Sequence, residues 1–463
     1  MDFDVVIIGS GPGGYVAAIR AAQLGNKVGI IERAELGGIC LNWGCIPTKA
    51  LLRSAEIYSL IKHSDNYGIP VEKYSVDFDK VIKRSRNVAG RLSKGVAFLM
   101  KKNKIEVIPG SARLVGKNEI AVQLNDNKGS KKISSKFIVL ATGARPKEIP
   151  GMETDGKKVL NYKHAMTLQK QPKSLVVVGA GAIGVEFAYF YNTIGTEVTI
   201  IEMLPHLLPI EDEDISKELE KSFKKQKINF HTGTRVEKLE KLKSGVKLTI
   251  SRDGKSETIK ADAALIAVGI QGNVENIGLE ELGIAVEKGA VKVNEYYQTN
   301  IPNIYAIGDL AGPPWLAHVA SHEGIHAVEH LSGKEVIPID YTTIPGCTYC
   351  IPQVASVGFS EKKAREMGYD LKIGKFPIRA NGKALGLGEE EGFIKIIYDA
   401  KYGELLGCHI IGPEATELIT EVTLAKAVES TYLEVLGTIH PHPTLSEIVL
   451  EATHAAIGEP IHI

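Results

Sequence analysis

The hydrophobic pattern of this chain contains one compound signal that occurs twice. Residues 3–32 read FDVVIIGSGPGGYVAAIRAAQLGNKVGIIE, and residues 174–202 read SLVVVGAGAIGVEFAYFYNTIGTEVTIIE. Each opens with an unbroken apolar, β-branched run, which predicts a strand. A Gly-x-Gly-x-x-Gly turn follows, then an apolar-periodic stretch that predicts a helix, then a second β-branched strand ending in Glu. Between the two copies lies a basic, helix-patterned stretch, KVIKRSRNVAGRLSKGVAFLMKKNK, followed by segments of alternating polarity that predict short strands up to about residue 140. Beyond about residue 340 the pattern changes. Alternating strands (VASVGF, GFIKIIYD, ELLGCHIIG) precede two predicted helices, which describes an α+β unit without a glycine fingerprint.

The repeated unit carries chemistry. Its glycines are Gly9, Gly11 and Gly14 in one copy and Gly179, Gly181 and Gly184 in the other. The first allows a tight turn, the second lets backbone approach a pyrophosphate, and the third lets the helix pack on the strand. The helix N-terminus attracts the phosphates. In both copies an acidic residue, Glu32 or Glu202, stands eighteen residues after the third glycine, placed to accept from a ribose 2′-hydroxyl. The residues after Glu202 are MLPHLLP, with no Arg or Lys to hold a 2′-phosphate, so the second site is expected to prefer NAD over NADP. Two further turns, ATGARP at 141–146 and AVGIQGN at 267–273, each close an apolar strand and look like exits from one domain into another.

Composition narrows the picture. A chain of 463 residues is expected to form two to four domains. Lys plus Arg and Asp plus Glu both number 55, so no basic excess points to nucleic acid or an anionic membrane surface. The first strand is predicted almost at once, so no targeting leader is expected, and no apolar run is long enough for a membrane span. Five scattered cysteines do not make a secreted disulfide framework, and a cytoplasmic location is expected.

Two of those cysteines, Cys40 and Cys45, stand close together in GGICLNWGCIPTKALL, residues 37–52. Three readings compete: a redox pair, a metal site and two buried thiols. Five residues of ideal helix rise roughly 7.5 Å, and a disulfide needs Cα atoms closer than about 7 Å. A bond would therefore require a distorted turn, which Asn42, Gly44 and Pro47 make plausible, and a bond so placed would be readily reduced. A zinc site would want shorter spacing and two more ligands nearby.

With the preceding fingerprint, this segment resembles the FAD-dependent pyridine nucleotide–disulfide oxidoreductases. The resemblance covers essentially the whole chain, with the motifs in the family's order. It implies an α/β fold of two Rossmann-like dinucleotide-binding domains plus a C-terminal α+β dimerisation domain. The implied boundaries are 1–147 for FAD, 148–268 for NAD, 269–340 for a central region completing the FAD site, and 341–463 for the dimer interface. HPHPTLSE at 440–447 narrows it to members that oxidise dihydrolipoyl groups of 2-oxo-acid dehydrogenase or glycine-cleavage complexes. A lipoyl domain or lipoyl carrier protein is then the partner, and FAD and NAD are the cofactors.

By the same resemblance Cys40 exchanges with substrate and Cys45 faces the flavin. Lys49 lies beside the flavin and pairs with Glu186. Asp309 binds the ribityl chain, and Ala317 and His318 lie by the flavin ring. Thr142, Gly143 and Gly269 sit in the two turns that close the cofactor strands. His442 is the base, oriented by Glu447 and supplied across a homodimer. An imidazole backed by a carboxylate suits thiol chemistry, because it can take and hold the thiol proton. Spacing alone does not separate His442 from His440.

Rival readings are weaker. A glutathione reductase would show basic residues after the second fingerprint, and a mercuric reductase a C-terminal cysteine pair, whereas this chain ends GEPIHI. A redox-silent scaffold would be expected to lose Cys40, Cys45, His442 or Glu447. The segment HEGIH at 322–326 matches a zinc-protease motif formally but follows the flavin aspartate directly, and reads as a partly polar helix face. Cys347 and Cys350 read as buried or partly buried thiols, Cys408 as core, and Trp43 as packing near the disulfide turn.

Overall fold

The computed structural model describes residues 1–125 and 128–463. They cluster into two compact units, the first made of residues 1–51, 79–147 and 269–339, the second of residues 52–78, 148–268 and 340–463.

In the first unit a parallel sheet runs in the order 106–116, 28–32, 3–8, 130–140, 304–306. The run FDVVII is continuously apolar because both faces of its strand are covered. Val5 and Ile7 pack with Ala17, Ala18 and Val328 from helices on one side. Val6 and Ile8 pack with Ile120, Val122 and Leu279 on the other. Strands expected to be short between 71 and 140 are longer than their pattern suggests: 106–116 and 130–140 extend past the parallel sheet to sandwich strand 119–124 in an antiparallel meander. Helices Pro12–Gln23 and Ala317–Leu331 meet at very short range. A Cβ on Gly324 would lie 2.6 Å from the Gly13 carbonyl oxygen. That contact is the structural reason for the glycine inside HEGIH.

The second unit repeats the parallel pattern in the order 229–231, 197–201, 174–178, 263–266, 159–160, with an antiparallel sheet of 235–241, 246–252 and 255–261 beside it in sequence. Its C-terminal part is a five-stranded antiparallel sheet ordered 346–348, 353–358, 405–412, 393–399, 371–377. Strand 405–412 is buried at every position, where the sequence pattern suggested a half-buried strand. Three helices rather than two follow it: Ala415–Ala427, Tyr432–Gly437 and Glu447–Ala456. Gly374 lets the last of these lie directly on the sheet, since a Cβ there would sit 1.8 Å from the Ala452 carbonyl oxygen. That packing seats on the sheet the helix that begins at Glu447.

A buried ion cluster not foreseen from the sequence joins this sheet to the segment after the second fingerprint. The side chain of Lys395 is 2% exposed, and its Nζ lies 2.8 Å from Asp212, 2.7 Å from Asp214 and 2.8 Å from Glu361. Burial works to raise the Asp214 carboxyl, but Lys375 and Lys395 outweigh it and hold it at about 2. The stabilisation from Asp214 is therefore complete above its ordinary pKa near 4 and is lost as pH falls toward 2. Lys395→Met would leave the buried Asp212 and the half-buried Asp214 and Glu361 without their shared cation. Urea denaturation of this variant at neutral pH should show a loss of about 3–5 kcal/mol. An unchanged midpoint would mean that the cluster is neutral to stability.

Candidate active site

The two glycine loops have the same construction. Gly9 and Gly179 both have φ +102°, and a Cβ on either would strike the carbonyl oxygen of Ala141 or Ala267 at 2.2 or 2.4 Å. A Cβ on Gly14 would lie 2.0 Å from the Gly9 carbonyl oxygen, and one on Gly184 2.0 Å from that of Gly179. By contrast, nothing lies within 4 Å of a Cβ on Gly11 or Gly181. The outer glycines are thus required by packing, while the middle one leaves open space at a helix N-terminus, which fits a dinucleotide pyrophosphate.

Both acidic residues are tied to these loops. Glu32 accepts from the Ser10 N–H (2.9 Å), the Ser10 hydroxyl (2.7 Å) and the Ala34 N–H (2.8 Å). Glu202 accepts from the N–H groups of Ala180 (2.6 Å) and Leu204 (2.8 Å). Each carboxylate organises its own loop, so its orientation is set in advance. The Ser10 hydroxyl is a feature the sequence pattern did not single out.

In the first unit Thr142, Gly143 and Gly269 belong to two paired turns. Strands 144–146 and 270–272 are antiparallel, and Asn273 donates from its side chain to the Thr142 carbonyl (2.8 Å) and from its N–H to that of Gly143 (2.9 Å). Asp309 sits on the short turn Gly308–Leu310. The preceding Gly308 N–H donates to buried Glu323 at 2.6 Å, so the glutamate of HEGIH holds the aspartate's turn. Burial pushes the Asp309 carboxyl up to about 6, an environment that favours hydroxyl donors brought by a ligand. Ala317 and His318 begin helix Ala317–Leu331.

The cysteine segment is broken where a disulfide needs it to be. A short helix, Gly38–Trp43, stops at Gly44, whose φ is −140° and ψ −115°, and helix Cys45–Lys62 starts immediately after. Cys40 and Cys45 therefore lie on two helices joined by one non-helical residue. Their side chains are hydrogen-bonded to each other. That bond first, then burial, raises the Cys40 thiol, against the opposing pull of the Lys49 ammonium. The Cys40 thiol thus holds its proton more tightly than a free cysteine does.

In the second unit Glu186 is buried and accepts from the Tyr349 N–H at 3.0 Å. The two histidines of HPHP differ plainly. The His440 side chain is 3% exposed and engaged at both nitrogens, by the Thr438 carbonyl (3.1 Å) and by Glu421 (2.7 Å). His442 is 77% exposed, with Nδ1 held by Glu447 at 2.9 Å. Glu447 also accepts from the Thr444 N–H at 2.8 Å. Burial tends to raise the Glu447 carboxyl, but Thr444 and His442 outweigh it and leave it lowered. His442 therefore presents Nε2 outward on a fixed ring, the form of a base that works on a group brought to it.

Cys350 is buried, donates to the Pro352 carbonyl at 3.2 Å and lies two residues after strand Gly346–Thr348, which carries the half-buried Cys347. Cys408 is wholly buried in strand 405–412.

Models of two family domains match this chain: the pyridine nucleotide-disulphide oxidoreductase domain over residues 3–324, and the dimerisation domain of the same family over residues 344–453. The chain belongs to the pyridine nucleotide-disulphide oxidoreductase family. It is an enzyme that uses FAD and NAD, and the dimerisation domain makes it a homodimer. Among curated relatives, the dihydrolipoyl dehydrogenase of Rhizobium etli is 49% identical, with 98% of each chain covered. That of Zymomonas mobilis is 48% identical over 99% of each. That of Bacillus subtilis is 46% identical over 100% of this chain and 99% of the relative. The crystal structure of LpdA from Mycobacterium tuberculosis superposes with a TM-score of 0.91 at 27% identity, covering 97% of this chain and 98% of that one. Among the described residues no helix is long and apolar enough to cross a membrane.

Proposed function

We propose that this enzyme oxidises dihydrolipoyl groups and reduces NAD, using the Cys40–Cys45 pair as its dithiol exchange centre. The observation that carries this reading is the pair of cysteines brought side by side across the Gly44 break, where the Cys45 sulfur and burial raise the Cys40 thiol. The names of the relatives support the substrate class. Overall, a dihydrolipoyl dithiol gives up two electrons and two protons to become a disulfide, NAD gains a hydride, and one proton is released.

Cys40 attacks and is attacked on the substrate side, and Cys45 carries the thiolate that faces the flavin. His442 takes the proton of the incoming thiol, and Glu447 keeps the imidazole in the tautomer that leaves Nε2 free to accept it. Bound FAD would receive the electron pair from the dithiol and deliver it to NAD. Gly9, Gly11, Gly14, Glu32, Thr142, Gly143, Gly269, Asp309, Ala317 and His318 would hold it, with Lys49 beside the ring and paired to Glu186. Gly179, Gly181, Gly184 and Glu202 would hold NAD. His442 would serve the partner subunit's cysteines. We further propose the division at 147/148, 268/269 and 340/341 into FAD, NAD, central and interface domains, a cytoplasmic location, and a lipoyl domain or lipoyl carrier protein of a multienzyme complex as the partner.

The test is substrate choice. Holoenzyme should reduce NAD with dihydrolipoamide under anaerobic conditions and should show little reduction of glutathione disulfide by NADPH. The reverse preference would overturn the assignment.

Glu202 also predicts cofactor choice. Glu202→Arg removes a charge that repels a 2′-phosphate and offers a partner to it, so the NADP:NAD ratio of kcat/KM should rise by roughly tenfold or more. Because Glu202 also organises the loop through Ala180 and Leu204, the NAD value itself should fall. Steady-state kinetics with both cofactors measures this, and wild-type protein that already favours NADP would contradict it.

A further inference from the structure

We propose that Arg86 is a positioning residue for the Cys40–Cys45 redox pair, acting through the backbone and the indole that separate the two cysteines. This rests on the reading of that pair as the exchange centre.

Three consecutive residues of helix Phe78–Lys102 each hold a main-chain carbonyl of the redox segment. Arg84 donates to the Ala50 carbonyl at 2.8 Å, the Ser85 hydroxyl to that of Pro47 at 3.0 Å, and Arg86 Nη1 to that of Asn42 at 2.5 Å. The third bond differs from the other two. Asn42 is in the last turn of the six-residue helix before the break, where carbonyls lack intrahelical partners. Arg86 supplies the donor that the interrupted helix does not.

The same guanidinium lies 4.2 Å from the ring centroid of Trp43. On the Trp43 indole, Nε1 points to Glu35 Oε2 at 3.4 Å. Asn42 is held on its other side as well, because its Nδ2 donates to the carbonyls of Leu36 and Gly38, both at 3.0 Å. Residues 42 and 43 are thus fixed, and only Gly44 separates them from Cys45. A planar guanidinium can stack and donate at once, which an ammonium cannot do.

The consequence is redox. Two thiols close to a disulfide more readily when the turn between them is already set, since less freedom is lost on closure. Loosening the turn favours the open dithiol. Losing a charge-assisted hydrogen bond of this kind should lower the disulfide-to-dithiol ratio by roughly tenfold, which is about 30 mV for a two-electron couple.

The experiment equilibrates holoenzyme with graded mixtures of reduced and oxidised dithiothreitol, quenches with N-ethylmaleimide, and maps the alkylated cysteines by mass. At the mixture where wild-type is half oxidised, the dithiol-to-disulfide ratio at Cys40 and Cys45 should be about tenfold higher in Arg86→Met, leaving roughly nine-tenths of the pair reduced. Arg86→Lys should shift less, and Trp43→Leu in the same direction. A merely structural arginine would lower Tm and leave the ratio unchanged. An unshifted ratio in Arg86→Met overturns the proposal. If that variant does not fold, unshifted ratios in both Arg86→Lys and Trp43→Leu overturn it. Wild-type protein that forms no Cys40–Cys45 disulfide in oxidised buffer would overturn the redox reading itself, and the proposal with it.

Discussion

Purified Cys40→Ser holoenzyme is expected to show a long-wavelength charge-transfer band without any reductant, and Cys45→Ser to show none. The expectation follows from the asymmetry of the pair. The neighbouring Cys45 sulfur and burial raise the Cys40 thiol, and Cys45 is the sulfur proposed to face the flavin. With Cys40 replaced, Cys45 has no disulfide partner and remains a free thiolate beside oxidised FAD. With Cys45 replaced, Cys40 is on the substrate side and should react with a thiol reagent entering there. Both variants should lose lipoamide turnover by at least about 10³-fold, the scale of removing a covalent nucleophile. Both should keep NADH-driven reduction of an artificial acceptor such as ferricyanide, which bypasses the disulfide. A band in Cys45→Ser and none in Cys40→Ser would reverse the roles. Full lipoamide activity in either would move the redox centre elsewhere, with Cys347 and Cys350 the next pair to test.

His442→Ala should reduce lipoamide turnover by about 10²- to 10⁴-fold, the usual contribution of a positioned general base. The electron transfer from NADH to ferricyanide should change little. Glu447→Gln keeps an acceptor for Nδ1 but removes its charge, so its effect should be smaller. The homodimer adds a sharper test. Inactive Cys40→Ser and inactive His442→Ala proteins, mixed and allowed to exchange subunits, should regain part of the activity. A hybrid then holds one site with Cys40 from one chain and His442 from the other. Hybrids confirmed by mass but without recovered activity would place the base within its own chain.

The parts of this molecule that could be read from sequence are those where geometry forbids alternatives. Gly9 and Gly14 are glycines because a Cβ on either would strike a backbone carbonyl, and the same holds for Gly179 and Gly184. Such positions announce a strand–turn–helix unit in any chain. Burial on both faces was less legible: strand 405–412 looked half-exposed because its polar His409 and small residues break the apolar run, yet every position is covered. Long-range polar contacts were not legible at all. Arg86 meets Asn42 across 44 residues and Lys395 meets Asp212 across 183, and neither the basic helix-patterned stretch of the first nor the alternating strand of the second names its partner. His440 and His442 were indistinguishable by spacing because the loop carrying them has no period to assign faces. The structure separates them by giving one two partners in a buried position and the other a carboxylate behind an exposed ring.

The most direct test of the central claim is an anaerobic absorbance titration of wild-type holoenzyme with dihydrolipoamide. One equivalent should produce the long-wavelength band of the Cys45 thiolate beside oxidised FAD, and NAD added next should discharge it with formation of NADH. A flavin that NADH reduces but that dihydrolipoamide leaves spectrally unchanged would contradict the account.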